Sequence, residues 1–164
     1  MTDPPRRVRF FPGQVLTAAD LAADQEYHRG MRHLHNLHLH GSGTVTGLEV
    51  SVTDGCVHVS AGLAVDGLGR EIVVTEPLTV CLEAHLDVRR WVRDVVITWH
   101  ETPEGPVPGP DDTPVFTRWL EHGEVRLVAA DETGPEDVVL ARLTGSRRGA
   151  VRVDGSVRRN LGRD

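Results

Sequence analysis

The chain has 164 residues, of which 39% are hydrophobic and 26% charged, so it can build a core and is not disordered throughout. Its 17 Gly and 10 Pro favour many turns between short elements over a helical bundle. The formal net charge of −6 argues against a general nucleic-acid-binding protein, because such proteins need a basic surface. Neither an apolar run of roughly 18 residues nor a secretory signal is found. We therefore expect a cytoplasmic protein without membrane insertion.

The first elements are an extended segment and one helix. Three prolines block regular structure in residues 1–16, where Phe10 and Phe11 are the expected anchors. Thr17 and Asp20 have the spacing of a capping box, which predicts a helix start. Good helix formers then continue to about residue 39, where Gly41 and Gly43 end a helix of roughly 20 residues. Its apolar residues, which we expect to pack as an interface or as core, are Leu21, Tyr27, Met31, Leu34 and Leu39.

The periodicity changes to two after Gly43, which predicts about eight short, mostly antiparallel strands. Asp54-Gly55 and residues 66–69 are tight-turn signals between pairs of strands. Residues 102–114 contain five Pro and are predicted to be a long loop. The fold class is therefore α+β and mainly β. The expected strands lie at 44–52, 56–60, 63–65, 71–74, 77–82, 94–100, 124–129 and 137–143.

Charge divides the chain into a domain and an arm. From Arg142 to Asp164 there are seven Arg and two Asp, whereas the preceding residues carry 11 Arg and 22 acids. We assign residues 17–143 to one helix-plus-sheet domain and 144–164 to a basic C-terminal arm. The arm is expected to dock onto its own domain or onto a neighbouring subunit, the latter being favoured, by adding to a sheet edge or lying along an acidic groove. The residues expected to act are Arg147, Arg148, Arg152, Arg158 and Arg159. The alternative is a solvated tail.

Five histidines lie between His28 and His40, yet they are predicted to be packing or interface residues and not metal ligands. No pair among them has the i,i+4 spacing with which one helix face best holds a metal. Cys56 and Cys81 are expected to be reduced, buried thiols, since one distant pair without a signal peptide suggests neither a metal ribbon nor a disulfide framework.

Motifs for catalysis are missing from the sequence. It contains neither a Gly-x-Ser-x-Gly elbow nor a phosphate-binding glycine loop, and it has no lysine. Asp111-Asp112 is better explained as a solvated turn than as a calcium site, and residues 66–70 have too few oxygens for an EF-hand loop. We therefore predict no enzyme activity and no cofactor.

The combined motifs resemble a module found in phage-tail and contractile-injection-system proteins. The patterns are FxPGQxLTxxDL, an xQxYHR helix, HNxxLHGxGxVxGLxV and a GxAxDxxGxEI hairpin, at residues 10–21, 25–29, 35–50 and 59–72. Residues 94–143 resemble the later part of such proteins more loosely. The chain is shorter than many of these proteins, which continue into fibre or receptor-binding regions.

The resemblance implies a structural subunit at the baseplate or fibre end of a phage-like particle. It also implies a homo-oligomer, with a trimer as the expected state, that contacts other tail or baseplate subunits. Two other hypotheses are a small carbohydrate- or protein-binding module that uses the 102–114 segment, and a metal-dependent enzyme organised by the helix histidines. The candidate assembly residues are Phe10, Phe11, Tyr27, Met31, Leu34 and the five arginines of the arm.

Overall fold

A computed structural model describes residues 4–82, 90–146 and 150–162 of the chain. It begins with an extended segment, followed by helix α1 (Ala18–His35) and a π-helical turn (Asn36–His40). The Asp20 N–H donates to Thr17 Oγ1 (3.2 Å), and the Thr17 N–H donates to Asp20 Oδ2 (2.9 Å). This confirms the predicted capping box, which satisfies two N–H groups at the helix start.

Ten antiparallel strands follow in the described residues and form three small sheets, which confirms the predicted fold class. The sheet orders are β1-β4-β5, β2-β3-β6 and β10-β9-β7-β8. The strands are β1 (Gly43–Gly47), β2 (Val50–Thr53), β3 (Cys56–Val59), β4 (Gly62–Val65), β5 (Glu71–Val74), β6 (Leu78–Cys81), β7 (Trp91–Pro108), β8 (Pro114–Val128), β9 (Asp137–Gly145) and β10 (Arg152–Asp154).

The core lies where the three sheets meet. Apolar side chains from alternate strand positions fill it, as period-two burial requires. Among its fully buried members are Leu48, Val57, Val59, Ile72, Val95, Ile97 and Leu143. Asp94 is also buried, and its two carboxylate oxygens accept from Arg142 Nε and Nη2 at 2.7 and 2.9 Å. The pair joins β7 to β9.

Two predicted segments differ in the structure. Residues 44–52 form two strands instead of one, because Gly47 and Leu48 both take positive φ (61° and 56°) and break the alternation. Residues 102–114 do not form a long loop. They form the end of β7, a short turn and the start of β8, paired from His100↔His122 to Pro108↔Pro114. In the described sheets, the part of β7 beyond Thr98, here called outer β7, pairs with β8 alone, so its prolines remove no hydrogen bonds to a second neighbour there.

The expectation of two reduced, buried thiols is wrong. Cys56 and Cys81 lie directly opposite each other in β3 and β6, and their sulfur atoms are bonded. Cys81 is exposed, and Cys56 is partly buried. The sequence separation of 25 residues hid this contact, because only the order of strands in the sheet brings β6 beside β3.

Candidate assembly surfaces

One face of α1 is attached to the domain by polar contacts. Arg32 Nε lies 3.0 Å from Glu71 Oε2, and Arg29 Nη1 lies 3.9 Å from Glu101 Oε2. The buried amide of Asn36 donates to the carbonyl oxygen of Gly69 at 3.0 Å. At about 3.6 residues per turn, positions 29, 32 and 36 share one face of the helix. The second half of α1 is therefore fixed to the domain.

The opposite face of α1 carries three of the five apolar residues predicted from the sequence. Tyr27, Met31 and Leu34 have the i, i+4, i+7 spacing of one stripe, about half a turn away from the attached face. Met31 is 40% exposed, and no residue of α1 is buried. The expectation that this helix forms core is therefore wrong for the single chain, because none of its residues is buried. Its role as an interface stays a prediction.

A second apolar surface lies on the outer part of the β7–β8 hairpin. Beyond Thr98, β7 pairs with β8 alone, because its pairing with β9 covers only Trp91–Thr98. Every residue from 110 to 121 is exposed. We call residues 101–121 the distal hairpin. Its exposed large apolar side chains are Val107, Val115, Phe116, Trp119 and Leu120.

Sequence reasoning missed the distal hairpin because its prolines suggested a loop. A signal was present in residues 115–120, Val-Phe-Thr-Arg-Trp-Leu, which are mostly β-branched or aromatic and contain no Gly or Pro. Such a run is typical of a strand. The neighbouring prolines led to the prediction of a loop, although proline is tolerated in strands that lie at an edge.

The N-terminal segment leaves its two phenylalanines exposed. Phe10 is 48% and Phe11 62% exposed, so neither is buried against the domain. A turn links this segment to the helix start, because the Gln14 N–H donates to the Phe11 carbonyl oxygen at 3.2 Å. The assignment of both residues to an assembly interface stays a prediction.

The C-terminal arm packs on its own chain. β10 adds to the edge of β9, so the predicted sheet edge belongs to the same domain. The Arg158 side chain, only 10% exposed, enters a groove of about 460 Å³ and donates to the carbonyl oxygens of Gly47 (2.6 Å) and Leu48 (3.1 Å). The Arg159 carbonyl oxygen accepts from the Thr44 N–H at 2.8 Å. Arg158 thus serves the fold of the single chain.

The other arginines of the arm differ in their surroundings. Arg152 and Arg159 are exposed, whereas Arg147 and Arg148 lie outside the described residues. The structure places the helix stripe, the two phenylalanines and the arm on separate elements, and their use in assembly stays a prediction.

The histidines do not gather around a common point in the part of the chain that is described. No group of three or more His, Cys, Asp or Glu there could hold a metal ion. The rings of His35 and His40 lie 5.3 Å apart, and His28 Nε2 lies 3.9 Å from Asp24 Oδ1. Burial, reinforced by Arg29 and Arg32 and opposed by Glu71, lowers the pKa of His33 below its usual range. Their assignment as packing or interface residues stays a prediction.

Among the described residues, no helix is both long and apolar enough to cross a membrane.

Comparison with solved structures identifies chains of the same fold. A chain of the type VI secretion system TssK–TssF–TssG baseplate subcomplex, determined by cryo-electron microscopy, matches with a TM-score of 0.60 and 11% identity over 92% of this chain. A chain of the type VI secretion baseplate complex matches with a TM-score of 0.59 and 11% identity over 93%. The crystal structure of TssK matches with a TM-score of 0.51 and 15% identity over 92%.

At identities of 11–15%, these structural matches show a likeness of fold alone. The chain spans 60%, 58% and 41% of the three matched chains, respectively. By sequence, no family model and no curated protein matches it.

Proposed function

We propose that this chain is a structural, non-enzymatic component of a phage-tail-like contractile injection particle, located at the baseplate and acting through protein–protein assembly. The observation that carries the proposal is the shared fold with the two chains of type VI secretion baseplate assemblies, over 92% and 93% of this chain. The resemblance of the sequence motifs to phage-tail modules supports the same role independently of that fold.

The exposed apolar side chains also favour assembly. A helix gains most of its stability from packing of an apolar face, yet on the face with Tyr27, Met31 and Leu34 no residue is buried and Met31 is exposed. A two-stranded hairpin is only marginally stable by itself, yet the distal hairpin exposes Phe116 and Trp119. Apolar groups of this size and arrangement are typical of surfaces that another protein covers.

The partners in this proposal are other baseplate subunits and further copies of the chain, with a trimer as the simplest closed assembly. The stripe of Tyr27, Met31 and Leu34 provides one contact. Three identical helices could bury such stripes around one axis, because side chains at i, i+4 and i+7 lie in line along a helix.

The test is the native mass of the full chain, measured by light scattering coupled to size exclusion, for the parent and for Met31→Asp. The aspartate would place an unpaired charge in an apolar contact, so we expect the oligomer to dissociate while circular dichroism stays unchanged. Gln25→Asp is the matched control, because it introduces the same charge at an exposed site off the stripe. A parent chain that is monomeric and binds glycans would instead support the carbohydrate-binding alternative.

A further inference from the structure

The N-terminal segment and the distal hairpin carry opposite charge. Residues 4–17, which we call the N-terminal arm, contain Arg6, Arg7 and Arg9 and no acid. The distal hairpin contains five carboxylates, at positions 101, 104, 111, 112 and 121, and one arginine, Arg118. Both segments are exposed, so their charges can attract each other during encounter and fix the alignment of the complex.

Both segments also expose apolar side chains. In the arm, Phe10 is 48%, Phe11 62% and Val15 84% exposed. On the hairpin, Phe116 is 47% and Trp119 62% exposed. Aromatic side chains bury large areas with little loss of conformational entropy, so contacts between these groups are the expected energetic centre of an interface.

The hairpin has one edge suited to accept another strand. Outer β7 has prolines at 103, 106 and 108, which lack the N–H groups that a neighbouring strand needs. Residues 115–121 of β8 contain no proline, and in the described sheets β8 pairs with β7 alone. This leaves a seven-residue strand with an open row of backbone donors and acceptors.

The N-terminal arm has the matching form. Residues 6–11 lie between Pro5 and Pro12, contain no proline, and belong to no helix or sheet in the structure. In this extended run Arg6, Val8 and Phe10 fall on one side, and Arg7, Arg9 and Phe11 fall on the other, because side chains alternate along an extended chain. Each side therefore carries both a basic and an aromatic side chain. The described contacts include no hydrogen bond or ion pair between this run and the distal hairpin of the same chain.

We propose that residues 6–11 of one copy add as a strand to residues 115–121 of β8 in a second copy. The backbone would supply the hydrogen bonds, and aromatic residues that share a face would pack across the contact. The three arginines, which lie on both faces of the run, would add attraction to the acidic hairpin. This inference rests on the proposed assembly role and names the surfaces involved. Because the two surfaces differ, the contact is head-to-tail, and its repetition gives a ring when the rotation between copies closes and an open filament when it does not.

Charge reversal tests the alignment. One full-length variant carries Arg6→Glu, Arg7→Glu and Arg9→Glu, and a second carries Glu104→Arg and Glu121→Arg. Each variant alone is expected to self-associate at least about tenfold more weakly than the parent, equal to about 1.4 kcal/mol. A mixture of the two is expected to recover association in part, because the unmodified basic arm of the second variant then meets the unmodified acidic hairpin of the first. Asp131→Arg with Glu136→Arg, exposed in the β8–β9 connection, is the matched control and should change nothing.

Cysteine crosslinking tests which copy is bound. A mixture of a Phe10→Cys chain with a Trp119→Cys chain is expected to give a crosslinked dimer on a non-reducing gel. The double variant is expected to form a ladder of linked chains. A link confined to one chain would overturn the proposal, and so would unchanged association of both charge-reversed variants. If the parent chain enters the baseplate assembly and both charge-reversed variants self-associate as strongly as the parent, only this inference fails. If the parent chain itself binds no baseplate subunit, the proposed function fails.

Discussion

The buried amide of Asn36 donates to the carbonyl oxygen of Gly69 at 3.0 Å and joins the end of α1 to the β4–β5 turn. Gly69 takes φ +84°, and a Cβ at this position would collide with the His33 carbonyl oxygen. Helix and turn are thus packed backbone against backbone. The position of the exposed helix stripe depends on this contact.

Replacing Asn36 by Ala should therefore destabilise the fold. The change leaves the Gly69 carbonyl oxygen without its donor, at a cost of about 1–3 kcal/mol in the free energy of unfolding. Urea denaturation of the parent and the variant measures this cost. Gln25→Ala, at an exposed position of the same helix, should stay within about 0.5 kcal/mol. Equal stability of all three proteins would show that the helix is not held by Asn36.

Replacing Arg158 by Met should also destabilise the single chain. The guanidinium donates to the carbonyl oxygens of Gly47 and Leu48, and charged hydrogen bonds of this kind contribute about 1.5–3 kcal/mol each. We expect a loss of at least about 2 kcal/mol, measured by thermal or urea unfolding. The exposed Arg152, mutated in the same way, should have little effect. If Arg152→Met lowers the free energy of unfolding as much as Arg158→Met does, the hydrogen bonds of Arg158 in the groove do not explain the loss.

Breaking the disulfide between Cys56 and Cys81 should lower stability without changing the fold. A crosslink across a 25-residue separation restricts the unfolded chain and contributes about 3 kcal/mol. The double substitution to Ala, or reduction of the parent, should therefore lower the melting temperature and leave the circular dichroism spectrum unchanged. Mass spectrometry after thiol alkylation checks whether the bond forms. Two alkylated cysteines in the untreated, non-reduced protein would contradict the structure here.

Acid should weaken the fold through Asp137, whose side chain is 4% exposed. Burial would raise the pKa of this carboxyl, but hydrogen bonds from Gly134, Thr98 and Arg126 outweigh it and hold the pKa below its usual range. The ionised form therefore stabilises the folded state. This contribution is complete above the unfolded pKa of about 3.9 and is lost as the pH falls through the folded pKa.

The measurement is the stability of the parent and of Asp137→Asn at pH 7 and at successively lower pH. The variant should be less stable at pH 7, and the difference should shrink as the pH falls below about 3.9. Asp131→Asn is exposed and serves as the control. A difference that stays constant with pH would mean that Asp137 acts through packing alone.

Removal of metal should leave the protein unchanged if the helix histidines His28, His35 and His38 are packing or interface residues. Purification in chelator should give the same melting temperature as purification without it, because only a structural metal adds its binding energy to folding. A fall of many degrees that zinc restores would overturn this prediction and favour the metal-dependent alternative.

Local signals in the sequence predicted local structure well. Thr17 and Asp20 identified the helix start because both capping groups lie within three residues of each other. Asp54-Gly55 identified the β2–β3 turn for a similar reason, since both residues take positive φ (53° and 75°). These features need only neighbouring residues, and a single sequence is sufficient to find them.

Features that depend on strand order could not be predicted in the same way. The Cys56–Cys81 bond requires β6 to lie beside β3, and the carbonyl oxygens that accept from Arg158 belong to residues more than 100 positions away. The distal hairpin was missed for another reason: proline forbids a central strand but not an outer one, and the sequence did not show which strand lies at the edge. The apolar stripe of α1 could be listed from the sequence, but the contacts of Arg32 with Glu71 and of Asn36 with Gly69 show which face is turned toward the domain.

The most direct test of the central claim is co-purification of the tagged full chain, expressed in its own cells, with baseplate, sheath and tube proteins of a contractile injection particle, compared across variants. We predict that the parent and Gln25→Asp are recovered in the particle at equal yield, and that Met31→Asp, folded by circular dichroism, is not. Recovery of the parent chain alone, with no particle protein bound, would contradict the account.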